Sequence, residues 1–260
     1  MNKILIYGIL NVTPDSFSDG GRFLDTDAAV NHALSMIEDG ADVIDIGGMS
    51  TRPGYEDVSE AEETERIIPV IRALKEKVPG CVISVDTFRA GTAKAALVAG
   101  ADIINDISGL MGDPDMAGVI AEYKARAVLM RNGLGDPDEG WEVMLQRTVD
   151  AARNAGIKDS KIVLDPGVGF TKTRKQDMEL INAIPDMIDK WGYPVLLGVS
   201  RKRITAEFYK GETKADERLG ASLALALYGV EKGATELRVH DVKDTYAALK
   251  AVARLKGEEL

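Results

Sequence analysis

A chain of 260 residues that is 45% apolar and 28% charged can bury a substantial core, as one large domain or two small ones. Its formal net charge of −10 argues against nucleic acid as the main partner, because phosphate binding needs a basic face; a small basic pocket stays compatible with it. The single cysteine, Cys81, excludes an internal disulfide, reads as a buried residue at the head of the apolar run CVISVD, and fits a cytoplasmic setting.

The first apolar run, ILIYGIL at 4–10, has no small-residue cleavage site and reads as a strand, not a signal peptide. No apolar stretch approaches the ~18 residues of a membrane span. A polar stretch with two glycines, NVTPDSFSDGG, follows, longer than a turn requires. A helical stripe of Ala29, Val30, Ala33, Leu34 and Ile37 then stops at Gly40. The second strand is DVIDIG, 42–47, and the second helix, 59–77, opens on a capping box of Ser59 and Glu62 and carries Pro69, where a kink is expected.

Strands at 82–86, 102–107, 127–130, 161–165, 194–199 and 236–239 alternate with helical patterns at 89–100, 115–125, 140–156, 175–192, 217–233 and 241–257. The strands lack polar alternation, as expected of a parallel sheet covered on both faces. Eight strand–helix units in ~250 residues predict a TIM (β/α)8 barrel, an α/β fold, with residues 1–260 as a single domain. A doubly wound open sheet is the alternative, but the position after the first strand lacks the glycine fingerprint of a dinucleotide site.

In such a barrel the chemistry sits at the C-terminal strand ends. Those ends carry Asn11, GGMSTRPG, Asp86, Asn105, Arg131, DPGVGFTK, SRKR and RVHD. Taken singly, Asp86 could be a helix cap, Asp165 a turn residue, and Arg201 with Lys202 a solvated pair. A buried Asn105 needs partners, however, and three strands bring Asp86, Asn105 and Asp165 to one mouth. Two carboxylates and an amide suit a flat heterocycle with amino and lactam groups. Lys202, Arg238 and His240 come from strands seven and eight, where this fold often holds phosphate, and Arg52 could reach the same place. No zinc motif, phosphate-binding P-loop or nucleophilic triad is present, and the other histidine, His32, lies in an amphipathic helix. The expected chemistry is displacement of a charged leaving group.

ILNVTPDSFSDGG, DIGGMSTRPG, SVDT, INDI, LDPGVGFTKT, GVSRKR and RVHDV, in this order over about residues 5 to 245, closely resemble the dihydropteroate synthase family of folate biosynthesis. The resemblance implies a transferase joining 6-hydroxymethyl-7,8-dihydropterin pyrophosphate to p-aminobenzoate with release of pyrophosphate. It assigns pterin binding to Asp86, Asn105, Asp165, Lys202 and Arg238, and catalysis to Lys202, Asp86 and Arg238. It assigns pyrophosphate to Asn11, Arg52, Arg238 and His240, with Mg²⁺ as cofactor at Asn11. The p-aminobenzoate pocket would be formed by Pro14, Phe17, Asp19, Thr51, Arg52, Phe170, Lys202 and Arg203, with the first loop closing as a lid. The family's dimers imply a homodimer using the apolar helix at 217–233. The chain departs from the family's usual pattern at Met49, commonly Glu, at Arg131, commonly His, and at Arg203, often Ser. Arg131 is expected to add positive charge near the mouth. A pterin-dependent methyltransferase and a non-catalytic pterin-binding homologue are the alternatives; the methyltransferases lack the TPDSFSDGG and SRK motifs and work with a corrinoid partner.

Overall fold

The computed structural model describes residues 3–13, 21–49, 58–131, 139–171 and 173–258, with backbone alone at 21–25. In chain order the elements are β1 (Leu5–Asn11), α1 (Gly21–Glu38), β2 (Val43–Gly47), α2 (Glu60–Lys77), β3 (Val82–Asp86), α3 (Ala90–Ala99) and β4 (Ile103–Asp106). They continue with α4 (Met116–Tyr123), β5 (Arg126–Met130), α5 (Trp141–Asn154), β6 (Ile162–Asp165), α6 (Arg174–Asn182) and α7 (Ile184–Trp191). The last are β7 (Leu196–Leu197), α8 (Arg203–Ala206), α9 (Leu219–Glu231), β8 (Glu236–Val239) and α10 (Val242–Leu255).

All the strand pairs are parallel, in the order β6-β5-β4-β3-β2-β1-β8-β7. The gap between β6 and β7 closes through a bridge of Leu164 with Val195 and a 2.9 Å hydrogen bond from the Leu164 N–H to the Pro194 carbonyl. The eight-stranded barrel predicted from the sequence is therefore present. Its seventh strand is two residues long where six were expected, because the chain after Leu197 turns off at Gly198 to build the mouth.

Side chains alternate across each strand, so every second residue faces the barrel axis. Tyr7, Val43, Ile103, Val128, Val163 and Leu196 pack into an apolar plug separate from the larger core. Their neighbours Ile44, Ile104, Ala127, Leu164 and Leu197 join that larger core between strands and helices. Gly229 of α9 lets that helix approach the sheet, since a Cβ there would run into Leu197. Below the plug, Glu236 is buried, accepts the Tyr7 hydroxyl at 2.5 Å and is ion-paired with Arg126. Above the plug lie the polar residues of the site.

The helices follow their local signals with instructive exceptions. Ser59 caps α2 by accepting the Glu62 N–H at 3.3 Å, but the Glu62 carboxylate pairs with Arg66 at 2.6 Å instead of completing the expected box. The helix runs on across Pro69. The run 175–192, expected as one helix, divides at Ala183, since Pro185 has no N–H to continue the ladder and sits in the first turn of α7. A full capping box of Thr173 and Gln176 starts α6. Among the described residues no helix is long and apolar enough to cross a membrane.

The pair beneath the plug is testable. Arg126→Met leaves the buried Glu236 carboxylate without its countercharge and is expected to cost about 3 kcal/mol in urea unfolding. Combining it with Glu236→Leu should recover most of the loss. A single variant within about 0.5 kcal/mol of wild type would contradict the pairing.

Candidate functional site

The site begins one side-chain layer above the plug. On β2, β3, β4, β6 and β8 the residue two positions beyond a buried one is polar: Asp45 follows Val43, Asp86 follows Ser84, Asn105 follows Ile103, Asp165 follows Val163, and Arg238 follows Glu236. Strand periodicity alone thus stacks a charged ring on an apolar floor.

Arg238 holds the ring together. Its Nε donates to Asp45 Oδ2 at 2.5 Å and its Nη2 to Asp86 Oδ2 at 2.6 Å. Asn105 approaches the same Asp45 oxygen at 3.4 Å. Burial on its own would lower the Arg238 pKa, but Asp45 and Asp86 outweigh it and raise it. Burial pushes Asp86 up to about 6; Arg238 opposes this, while Asp45 and Glu63 add to it. The cap reading of Asp86 fails, because the first N–H of α3 goes to Asp113 Oδ2 at 2.8 Å. Asp45 is fully buried, yet its Oδ1 has no hydrogen-bond partner among the described residues. A buried carboxylate oxygen left so is costly until a donor arrives.

The turn after β6 supplies the second half. Gly167 and Gly169 have φ of +76° and +90°, and a Cβ at either would strike Arg131 or Lys202. Asp165 Oδ1 accepts the Gly167 N–H at 2.7 Å, so the turn reading holds for one of its oxygens. Burial raises its pKa against the pull of Lys202 and the Gly167 N–H. Lys202 Nζ donates to the Val168 carbonyl at 2.6 Å and lies 4.8 Å from the centre of the Phe170 ring. Burial brings it down to about 8, with Asp165 the largest opposing influence. Gly198 separates Lys202 from Arg238: a Cβ there would stand 3.6 Å from Lys202 Nζ and 3.8 Å from Arg238 Cβ.

At the rim, Asn11 ends β1 in register with Gly47, which is in register with Asp86. His240 Nδ1 lies 3.0 Å from Ser200 Oγ. Arg201 leaves the pocket to pair with Asp241 at 2.5 Å. Arg203 opens α8, exposed, and among the described residues makes no hydrogen bond or ion pair with the other site residues. Pro14, Phe17, Asp19, Thr51 and Arg52 lie outside the described residues.

Arg131 brings its expected positive charge to the mouth from a buried position. It is buried, 7% exposed, and props the Asp165 turn from behind: its N–H donates to the Asp165 carbonyl at 2.8 Å and its Nε to the Pro166 carbonyl at 3.1 Å. Its positive charge reaches the mouth from behind, favouring the ionised form of Asp165. Met49 lies against Arg89, with Nη1 3.7 Å from its sulfur, and Arg89 pairs with the buried Glu63 at 2.7 Å. The residue missed by sequence reading is Asp45; its signal was a lone carboxylate in an apolar strand two positions after a core valine.

Among the described residues no cluster of His, Cys, Asp and Glu could by itself hold a metal. The Asn11 carboxamide at the end of β1 offers one oxygen of the hard type that suits a magnesium ion.

A profile of pterin binding enzymes matches residues 7–240. The chain is 46% identical over 245 residues to a dihydropteroate synthase of Streptococcus pyogenes serotype M6, covering 92% of this chain and 90% of that protein. It is 46% identical over 257 residues to a dihydropteroate synthase of Clostridium beijerinckii, covering 95% and 93%. The crystal structure of the Clostridium difficile dihydropteroate synthase in the presence of pteroic acid superposes with a TM-score of 0.91 at 40% identity, covering 98% of this chain and 97% of that one. The Xanthomonas albilineans synthase in complex with 7,8-dihydropteroate gives 0.88 at 37% identity, covering 99% and 95%. By residue pattern, barrel and relatives alike, the chain belongs to the dihydropteroate synthase family of pterin-binding enzymes.

Proposed function

We propose that this protein condenses 6-hydroxymethyl-7,8-dihydropterin pyrophosphate with p-aminobenzoate to give 7,8-dihydropteroate and pyrophosphate. The observation that carries this is the buried ring of Asp45, Asp86, Asn105 and Asp165, closed by Arg238 and Lys202 above an apolar floor. A pterin edge presents amino and ring N–H donors beside a lactam carbonyl. Asp86 and Asp165 accept from the donors, while Asn105 and Lys202 serve the mixed edge. Relatives seen with 4-aminobenzoic acid and with 7,8-dihydropteroate support the substrate pair.

In the reaction the carbon–oxygen bond to pyrophosphate breaks, a carbon–nitrogen bond forms, and the amine gives up a proton. Arg238 and His240, joined by Arg52, would stabilise the charge growing on the departing oxygen. Magnesium, when bound at Asn11, supplies further neutralisation of the diphosphate. The carbon left behind becomes cationic, and the carboxylates around the ring favour that. The arylamine is neutral near pH 7, so its attack needs no general base. Phe170, 39% exposed beside Lys202, would form one wall of the p-aminobenzoate pocket, with Arg203 and the residues of the first two loops, Pro14, Phe17, Asp19 and Thr51, completing it. The half-buried Leu223, Leu225 and Leu227 on α9 support a homodimer, and the buried single cysteine supports a cytoplasmic setting.

Incubation of pure protein with both substrates and Mg²⁺ should yield dihydropteroate and pyrophosphate in equal amounts. Pterin binding without turnover would favour a non-catalytic protein, and methyl transfer from a methylated folate would favour the methyltransferase. Lys202→Ala is expected to lower turnover roughly 100-fold or more with unchanged thermal unfolding. An undiminished rate would remove Lys202 from the site.

Binding of 6-hydroxymethylpterin, which carries no phosphate, should depend on pH in two limbs. Asp86 must be ionised to accept, so affinity rises as pH climbs through about 6. Lys202 must be protonated to donate, so affinity falls as pH passes about 8. Lys202→Arg should abolish the alkaline limb; a flat profile in the wild type would contradict both roles. Asn11→Ala should remove the part of pyrophosphate affinity that depends on Mg²⁺, measured by calorimetry with and without the metal. Equal Mg²⁺ enhancement in the variant would exclude Asn11 as a ligand.

A further inference from the structure

Ser200 is buried at the end of the segment that follows β7, and its hydroxyl meets His240 twice. Its Oγ accepts the His240 backbone N–H at 3.2 Å and lies 3.0 Å from Nδ1 of the same residue. A serine hydroxyl has one hydrogen and two lone pairs. One lone pair serves the backbone N–H, and among the described residues the hydroxyl hydrogen has Nδ1 as its acceptor. A hydrogen turned elsewhere in this buried position finds no acceptor among the described residues. In the neutral ring a nitrogen that accepts carries no proton, so the proton resides on Nε2.

The flanking residues hold this arrangement in place. Arg201, next to Ser200, pairs with Asp241, next to His240, at 2.5 Å, and has its own N–H on Ser222 Oγ at 3.0 Å. Arg201 takes a φ of +59° to make these contacts, a conformation unusual for a side chain with a Cβ. Two segments 40 positions apart are thus tied together immediately beside that hydroxyl.

We propose that Ser200 is a positioning residue that locks His240 in the Nε2–H tautomer, so that the ring offers a neutral donor to the departing diphosphate. The opposite tautomer would turn a lone pair toward the anion. The donor role rests on the placement of His240 at the pyrophosphate subsite; the tautomer does not.

The chain has two histidines, and His32 is exposed on α1, so long-range proton–nitrogen NMR of the intact protein resolves the question. His32→Gln assigns the signals. Above the ordinary imidazole pKa of about 6.5, wild type should show His240 Nδ1 unprotonated and Nε2 protonated. Ser200→Ala should give mixed tautomers and weaken binding of magnesium pyrophosphate about tenfold, and Ser200→Thr should restore both. A protonated Nδ1 in the wild type, or an unaltered tautomer in Ser200→Ala, overturns the proposal. If His240 signals ignore added magnesium pyrophosphate while the tautomer follows Ser200, the donor role is overturned and the lock stands.

Discussion

The site depends on one guanidinium shared by two carboxylates. Arg238 is half-buried inside the barrel, and its bonds to Asp45 and Asp86 make a charge tolerable there. The same bonds position the acids, since Asp45 and Asp86 come from different strands and would repel one another without the cation between them. With Asp165 and Lys202 included, three carboxylates face two cations around one cavity among the described residues. That surplus of acceptors, with Asp45 Oδ1 lacking a partner among the same residues, leaves this part of the pocket short of donors. A flat ring rich in N–H groups remedies the shortage, and a positive charge developing on its side chain is welcome next to the surplus.

The apolar plug gives this arrangement its force. Tyr7, Val43, Ile103, Val128, Val163 and Leu196 keep water from the underside of the ring, so electrostatic contacts there act in a medium far less screening than solvent. The depressed Lys202 and the elevated Asp86 share that cause, burial, each moderated by partners of opposite charge. The Asp165 turn is stiffened from behind by Arg131, whose bonds to two backbone carbonyls leave that carboxylate little freedom. Binding power in this pocket therefore comes from groups set in position before the ligand enters.

The barrel itself was legible in the sequence because eight unbroken apolar runs, separated by helical stripes, permit few other architectures. Asp86, Asn105, Asp165, Lys202 and Arg238 were legible because each interrupts or ends such a run at the expected end of its strand. Asp45 was not, since its strand continues for two residues beyond it and an apolar run hides a single inward carboxylate. Only pairing register, a property of the folded sheet, shows that Asp45 and Arg238 meet across 193 positions. The short β7 escaped for a related reason, since its residues favour a longer strand and the chain turns off at Gly198; the division of 175–192 follows from Pro185, whose missing N–H starts a new helix there. The burial of Arg131 was not legible, because charge in a sequence suggests solvent, whereas its aliphatic and planar parts let it sit behind a turn.

The most direct measurement is a crystal structure of the protein with 6-hydroxymethylpterin pyrophosphate bound. The bicyclic ring should lie on the apolar floor with Asp86, Asn105 and Asp165 hydrogen-bonded to its edges and the diphosphate directed toward Asn11 and His240. A ring bound elsewhere, with Arg238 still bridging Asp45 and Asp86 over an empty cavity, would contradict everything built on that shared guanidinium.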